Sequence, residues 1–482
     1  MAPDSQVKAR YLAAAQAALQ QLPAAVMKLA TLFDEAGHEF ALVGGPVRDA
    51  CLGIPAHDMD FTTSARPDQT QKILDRWGET TWDIGKEFGT IGASLHGLTV
   101  EVTTYRSDEY DPSSRKPQVA FGDTLEGDLT RRDFTVNAMA VRLPTMELVD
   151  PCGGLSDIVD AILRTPIDPI ISFSDDPLRI MRAARFTAQL GFDVDLGTMS
   201  AMSELAERLD IVSAERIRAE LERLMISPYP RRGIEIMEYT GVAERVLPEV
   251  AALKSTVDEH GRHKDVYEHT LTVVDQAIEL ETDEEGPVPA PDFVLRFAAL
   301  MHDVGKPATR QFGPGGKVTF HQHDIVGAKM TRKRMRELRF DKQTTKDVSR
   351  LVELHQRFHG YGEAVWSDSA VRRYVTDAGP LLERLHRLTR ADCTTRNRKK
   401  AMRLQAAYDD LEKRIDELAK QEELAAVRPD LDGSQIMEIL GIEPGPTVGR
   451  ARKYLLDLRM EYGPLDQETA VEKLRAWAKE NL

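Results

Sequence analysis

Cysteine is scarce in this sequence of 482 residues: Cys51, Cys152 and Cys393 are odd in number and far apart. That excludes a disulfide framework or a thiolate zinc site and points to a reducing, cytoplasmic setting. Long apolar runs are missing too. No stretch approaches the roughly 18 residues that a membrane span needs, so no membrane partner is expected. The opening MAPDSQVKARYLAAAQAALQQL has helical Ala/Leu spacing but lacks the basic start, apolar centre and cleavage site of a secretory signal. Positive charge is in deficit, with 63 Lys and Arg against 78 Asp and Glu, net -15. A uniformly basic surface is thereby excluded, although local patches decide nucleic-acid binding. Two stretches are locally basic, 329–350 and 384–400, and each reads equally as a solvated helix face or an RNA-binding surface.

What is present divides into an α+β head and a long helical body, and the length calls for two or more domains. Phe40–Val43, Met59–Thr62, Thr90–Leu95 and Thr99–Thr104 are short, β-branched and bounded by Gly or Asp, as strands are. After Arg106 comes a loop rich in charge, Pro and Ser. From Asp176 onward apolar residues recur at three- and four-residue spacing, which predicts helices. PGGK at 314–317 reads as the turn of a small hairpin.

The head carries the first chemistry. LVGGPVRDACLG (42–53) predicts a strand, a Gly-Gly turn and a helix with Pro46 in its first turn. Such a turn lets backbone N–H groups approach a phosphate. In HDMDFTT, Asp58 and Asp60 stand two apart on an expected strand, so both carboxylates face the same way. Paired carboxylates repel unless a cation lies between them, and hard oxygen donors suit Mg²⁺ completed by phosphate and water. Glu101 alternates with Val100 and Val102 and can supply a third carboxylate. Two metals held this way would activate an attacking hydroxyl and clamp a leaving pyrophosphate.

GGPVRD, HDMDFTT, EVTTYR and RRDFTVNAMA (131–140), in that order, resemble the class II tRNA nucleotidyltransferase and bacterial poly(A) polymerase family of the polymerase-β-like superfamily. The resemblance implies a mixed-sheet head followed by an elongated helical body. It implies metal binding by Asp58 and Asp60, with Glu101 beside them, and nucleotide binding by Gly44, Gly45, Arg48, Arg131, Arg132, Asp133 and Asn137. Guanidinium forks suit phosphate, and an Asn amide can read a sugar hydroxyl. The implied domains are a catalytic head (1–160), a helical neck for nucleotide selection and RNA binding (161–255), an HD domain (256–400) and a C-terminal helical tRNA-binding region (401–482). The implied activity is addition of C, C and A to the tRNA 3′ end from CTP and ATP, with Mg²⁺ as cofactor. Poly(A) synthesis and addition of A alone remain alternatives on the same head. In the family, enzymes adding only CC lack a long loop such as the one between Arg106 and Asp128, so its presence favours adding A. The oligomeric state stays open.

SDDPLRIMRAARF (174–186) predicts a helix with Asp176 before it and Arg179 one turn on. Asp176 reads either as a helix N-cap or as half of a base-reading pair. A carboxylate accepts from an exocyclic amine, and an arginine donates to the neighbouring ring nitrogen. Cytosine and adenine present that pattern; uracil and guanine present its inverse. Asp175, Asp176 and Arg179 match the family's acidic-Asp-x-x-Arg motif, with Asp where many members have Glu, and Arg182 and Arg185 follow on the same helix. In SAERIRAELERL (213–224), Arg216 and Glu220 are expected to pair at i and i+4.

The body carries a second constellation: KDVYEHTLTVVD, AALMHDVGKPATR, HQHDIVGA and TRADCTTRN. It resembles the HD-domain phosphohydrolase pattern. That implies a divalent transition metal on His269, His302, Asp303 and Asp392, with Lys306 near a substrate phosphate and His323 or His355 completing a second position. A metal-dependent phosphohydrolase or 2′,3′-cyclic phosphodiesterase is thus a further activity, or the principal one if the head is degenerate.

Overall fold

The structure, a computed structural model, describes residues 3–55, 59–83, 85–109, 118–256, 266–313, 318–361, 366–394, 397–422 and 428–482. Asp58 and the PGGK turn at 314–317 therefore lie outside the described residues. The chain divides into two compact units, residues 1–246 and 247–482.

In the first unit the strands are β1 (Phe40–Val43), β2 (Asp60–Thr63), β3 (Thr80–Trp82), β4 (Thr90–Leu95), β5 (Leu98–Thr104), β6 (Arg106–Glu109), β7 (Gln118–Phe121), β8 (Ala140–Leu143) and β9 (Glu147–Val149), with a short parallel pair, Ile162–Leu163 and Asp193–Val194, besides. Seven of them form one sheet in the order β3-β4-β5-β2-β1-β8-β9. β1, with the sequence FALV, is buried at every residue and lies inside the sheet. β2 and β5 run parallel, with Asp60 beside Glu101 and Phe61 beside Val102. In-register neighbours share a face and successive residues alternate, so Phe61 and Val102 enter the core while the two acids face outward.

Three expectations need correction. β2 starts at Asp60, one residue after the predicted Met59. The segment after Arg106 is not a plain loop: β6 and β7 pair antiparallel, and a helix over Leu125–Thr130 follows, capped by the Thr124 hydroxyl, which accepts from the Gly127 N–H at 3.2 Å. β3, β8 and β9 were not anticipated, being only three or four residues long and lacking a run of alternation for sequence reading to catch. Beyond the sheet come helices over Pro169–Asp175, Leu178–Leu190 and Ala214–Met225.

Among its described residues the second unit is built of helices, with one two-stranded pair, Gln311–Phe312 with Val318–Thr319. Helices Val266–Glu279, Phe293–Met301, His323–Glu337, Lys342–Leu354 and Leu382–Ala391 bring the HD residues together, and a 25-residue helix, Arg398–Glu422, follows. The last three helices enclose a separate core of Leu431, Ile436, Ala451, Leu455, Ala470 and Leu474. Much of the basic charge is spent inside the unit. Arg384 pairs with Asp292 at 2.7 Å, Arg387 with Glu383 at 2.8 Å, and Arg390 with Asp409 at 2.8 Å. Of the described residues, no helix is long and apolar enough to cross a membrane.

Candidate functional site

The site in the first unit begins at the end of β1. Gly44 has φ +78°, a conformation that costs other residues strain, and a Cβ there would meet Arg132 Nη1 at 3.4 Å. The helix Gly45–Leu52 starts at once, with Pro46 in its first turn as expected. Arg48 on that helix is 3% exposed, and its guanidinium is not turned to solvent. It donates to Asp49 Oδ1 at 2.7 Å and to Asn137 Oδ1 at 2.6 Å. Asn137 Nδ2 in turn donates to Asp133 Oδ1 at 3.1 Å, so this amide is engaged inside the protein.

Asp133 accepts from Arg182 Nε at 2.8 Å. Burial alone would raise its carboxyl, but the charge and hydrogen bonds of Arg182 prevail and hold it well below the usual carboxylate range. Arg48, Asn137, Asp133 and Arg182 thus form one chain of charge-assisted bonds from the glycine turn to the Leu178–Leu190 helix.

Arg131 and Arg132 share one carboxylate that sequence reading passed over. Asp128, fully buried, accepts from Arg131 Nη2 at 2.9 Å and from Arg132 Nη2 at 3.1 Å. The signal was present: an acid three and four residues ahead of two arginines, at the end of a helical turn.

Asp176 closes the Pro169–Asp175 helix, and Pro177, not Asp176, stands at the N-cap of the next one. Asp176 Oδ1 accepts from the Leu178 N–H at 3.2 Å at the start of that helix, while the side chain still lines a pocket. Arg179 Nη1 donates to Ser172 Oγ at 2.8 Å and Nη2 to the Arg131 carbonyl at 2.6 Å. Among the described residues nothing takes its Nε hydrogen.

The expected Arg216–Glu220 pair does not form. Arg216 reaches Asp176 Oδ2 at 3.2 Å, and Glu220, 4% exposed, takes Arg185 Nε at 2.5 Å. Glu220 lies on the buried face of its helix, where Arg182 and Arg185 of the Leu178–Leu190 helix are desolvated and need an anion. Burial pushes the Arg185 guanidinium down to about 10 although Glu220 opposes the shift.

These elements enclose an open pocket of about 350 Å³ lined by Asp60, Arg106, Arg131, Arg132, Asp133, Asp176, Arg179, Arg182 and Arg216 among others. Of the residues expected at the site, Asp60, Arg131, Arg132, Asp133, Asp176, Arg179 and Arg182 line it. Arg48, Asn137 and Arg185 stand behind it as buried supports. Glu101 is brought beside Asp60 by strand register.

The second unit gathers two further clusters: His269, His302 and Asp392, and Asp303, His323 and His355. His302 Nε2 lies 3.4 Å from His269 Nε2 and 3.2 Å from Asp303 Oδ2, while Asp303 Oδ1 lies 3.2 Å from His323 Nε2. Asp303, a member of the second cluster, thus also touches His302 of the first. His302, His323 and His355 donate Nδ1–H to the carbonyls of Ala299, Phe320 and Val352, at 2.8, 2.9 and 2.6 Å. This fixes the ring orientation and turns each Nε2 inward, the nitrogen that a metal-binding imidazole presents. Burial would lower His302, but Asp303 and Asp392 raise it to about 9, the field of a cation site. Burial and the nearby His302 lower His355 to about 3, which keeps it neutral. Gly305 makes the close approach possible, because a Cβ there would lie 2.1 Å from the His323 carbonyl.

Three family models match in order: a poly A polymerase head domain over residues 40–164, a probable RNA and SrmB-binding site of polymerase A over 191–254, and an HD domain over 266–397. An A-adding tRNA nucleotidyltransferase of Deinococcus radiodurans is 32% identical over 456 residues, covering 91% of this chain and 96% of that protein. The chain belongs to the class II CCA-adding nucleotidyltransferase family. It is a nucleotidyltransferase with an HD domain.

Other members of the family align less completely. CCA-adding enzymes of Streptococcus gordonii and Streptococcus mutans are 40% and 42% identical over 225 and 224 residues, about half of each protein's length. Among solved structures, the Bacillus stearothermophilus CCA-adding enzyme with CTP shares the fold, with a TM-score of 0.64 at 21% identity over 95% of this chain and 98% of that one. The Thermotoga maritima CCA-adding enzyme complexed with tRNA has a TM-score of 0.61 at 18% identity, covering 96% of this chain and 98% of that one.

Proposed function

We propose that this protein adds C, C and A to the 3′ end of tRNA from CTP and ATP without a nucleic-acid template, in the cytoplasm. The observation that carries this is the pocket, where an acid on the β2 edge, phosphate-suited arginines and the Asp176/Arg179 pair face one volume. Asp60, with Asp58 and Glu101, would hold Mg²⁺, since Asp60 and Glu101 lie in register as outward-facing hard oxygen donors. Bound there, the metal supplies Lewis-acid activation of the 3′-hydroxyl and neutralises charge on the leaving pyrophosphate. Gly44 and Gly45 bring the backbone close to the triphosphate, and Arg131 and Arg132 hold it. Arg48, Asp133, Asn137, Arg182 and Arg185 keep that surface rigid, so that donors need not reorganise as charge develops.

Base choice falls to Asp176 and Arg179. Asp176 accepts from the exocyclic amine of cytosine or adenine, and Arg179 donates to the adjacent ring nitrogen. Ser172 and the Arg131 carbonyl hold the Arg179 guanidinium from behind. Uracil and guanine would set acceptor against acceptor, at a cost of ~1–3 kcal/mol per unpaired buried group.

A second reading, addition of A alone, is favoured by the name of the relative that aligns over nearly the whole chain. One experiment separates the two. Purified protein is incubated with tRNA ending at the discriminator base, or at CC, with Mg²⁺ and each nucleotide, and the products are sequenced. CCA on the shorter tRNA supports the first reading; A on the CC-ended tRNA only supports the second.

In the HD unit, a divalent transition metal would sit on His269, His302, Asp303 and Asp392, and a second on Asp303, His323 and His355. Lys306, 2.8 Å from Asp303, stands at the same place. This unit would hydrolyse phosphate esters of the RNA end as an additional activity, measured as release of phosphate from 2′,3′-cyclic nucleotides.

A further inference from the structure

Asp128 is the fully buried acid on which the phosphate-facing side of the pocket converges, although it does not line the pocket itself. Its Oδ1 accepts from Arg131 Nη2 at 2.9 Å, from Arg131 Nε at 3.3 Å and from the backbone N–H of Arg106 at 3.2 Å. Its Oδ2 accepts from Arg132 Nη2 at 3.1 Å and from Thr62 Oγ1 at 3.3 Å. The donors come from three elements: β2, which begins with Asp60; the first residue of the β6–β7 hairpin; and the arginine pair. Burial would raise this carboxyl, yet the charges of Arg132 and Arg131 keep it below the ordinary carboxylate range, so it stays an anion.

The anion has a specific task. Two adjacent guanidiniums in a pocket that also holds Arg106, Arg179, Arg182 and Arg216 repel one another. Asp128 neutralises part of that charge and fixes one Nη of each arginine from below. Among the described residues Arg132 Nε is buried without a hydrogen-bond partner, so its orientation depends on the Nη2 bond to Asp128.

We propose that Asp128 is the positioning residue for triphosphate recognition: it holds Arg131 and Arg132 at the pocket and ties them to the base of the β6–β7 hairpin and to the metal-bearing strand. The proposal rests on the nucleotidyltransferase reading above. It assigns Asp128 to binding of the phosphate chain and not to base choice.

The test is Asp128→Asn, isosteric but uncharged. The expected result is a rise of about tenfold in KM for CTP and ATP alike, as for loss of one charged hydrogen-bond partner. kcat should stay within threefold, inhibition by pyrophosphate should weaken in parallel, and discrimination against UTP and GTP should not change. Calorimetric binding of pyrophosphate to the full-length protein measures the same anchor without catalysis. A wild type that binds pyrophosphate but adds no nucleotide would sink the activity, not the anchor. A folded variant with unchanged KM and unchanged pyrophosphate affinity would overturn the proposal. If the variant shows no thermal transition, Thr62→Val serves instead, because it removes one Oδ2 donor. A smaller KM rise in the same direction supports the anchor, and an unchanged KM overturns it.

Discussion

Arg216 reaches out to Asp176 at 3.2 Å, while Glu220, one turn along the same helix, is sunk against Arg185 at 2.5 Å. One helix therefore serves two ends. Its exposed face pairs with the Asp176 carboxylate, and its buried face neutralises the arginines behind the pocket. The Asp176–Arg216 pair is half exposed, so its worth is that of a surface ion pair, ~0.2–1 kcal/mol. Arg216→Ala is accordingly expected to leave the melting temperature nearly unchanged and to relax base choice by at most about fivefold. Incorporation of UTP and GTP against CTP and ATP measures it. Unchanged discrimination would assign Arg216 to the surface alone.

Asp60 and Glu101 make a sharper case. They are in-register neighbours on the parallel pair β2 and β5, so a cation between them touches both strands. Asp60→Asn should lower nucleotide addition on the order of 10²-fold or more, since metal stabilisation is worth several kcal/mol at ~1.4 per tenfold. Glu101→Gln should do the same to a smaller degree, and raised Mg²⁺ should partly restore it. A Glu101→Gln enzyme with wild-type Mg²⁺ dependence would remove Glu101 from the metal site.

How much of this was written in the sequence depends on the range of the interaction. β1, the Gly44 turn and the helix after it are set by four apolar residues, a glycine and a proline, all local signals. The HD residues were legible because each sits at or near a helix end with its own motif. Arg216 misled because i,i+4 spacing says only that two charges can meet, not which of them is buried. The burial of Glu220 is decided by a helix 35 residues away. For Asp128 the i,i+3 and i,i+4 spacing to Arg131 and Arg132 was legible, but its burial was not, since the Thr62 hydroxyl and the Arg106 N–H that complete its shell are distant in sequence.

Glu220 itself supports the second prediction about stability. It is the buried anion for Arg185 and also lies 3.7 Å from Arg182. Glu220→Ala strands a desolvated guanidinium, and breaking such a pair from one side costs ~3–5 kcal/mol. Thermal melts and denaturant titration should show the first unit unfolding earlier. Arg182 would also lose part of its hold on Asp133, so KM for both nucleotides should rise. A melting temperature within a degree of wild type would contradict the burial argument.

Asp303 stands between the two HD clusters, and that placement gives a pattern no single-site scheme predicts. Its Oδ2 lies 3.2 Å from His302 Nε2 and its Oδ1 lies 3.2 Å from His323 Nε2, so on the proposed reading one carboxylate would serve both positions. His355 belongs to one group only, and His269 to the other. Metal analysis by mass spectrometry, after loading with Mn²⁺, Co²⁺ or Ni²⁺ and desalting, should find metal in the wild type. Asp303→Asn should lose it from both positions, whereas His355→Ala should lose only one share. Because the nucleotidyltransferase site lies in the other compact unit, CTP and ATP addition should stay within about twofold of wild type in both variants, far from the tenfold that ~1.4 kcal/mol would bring. Full metal retention in Asp303→Asn would show that the carboxylate is an ion-pair partner for Lys306 and not a bridge between metals.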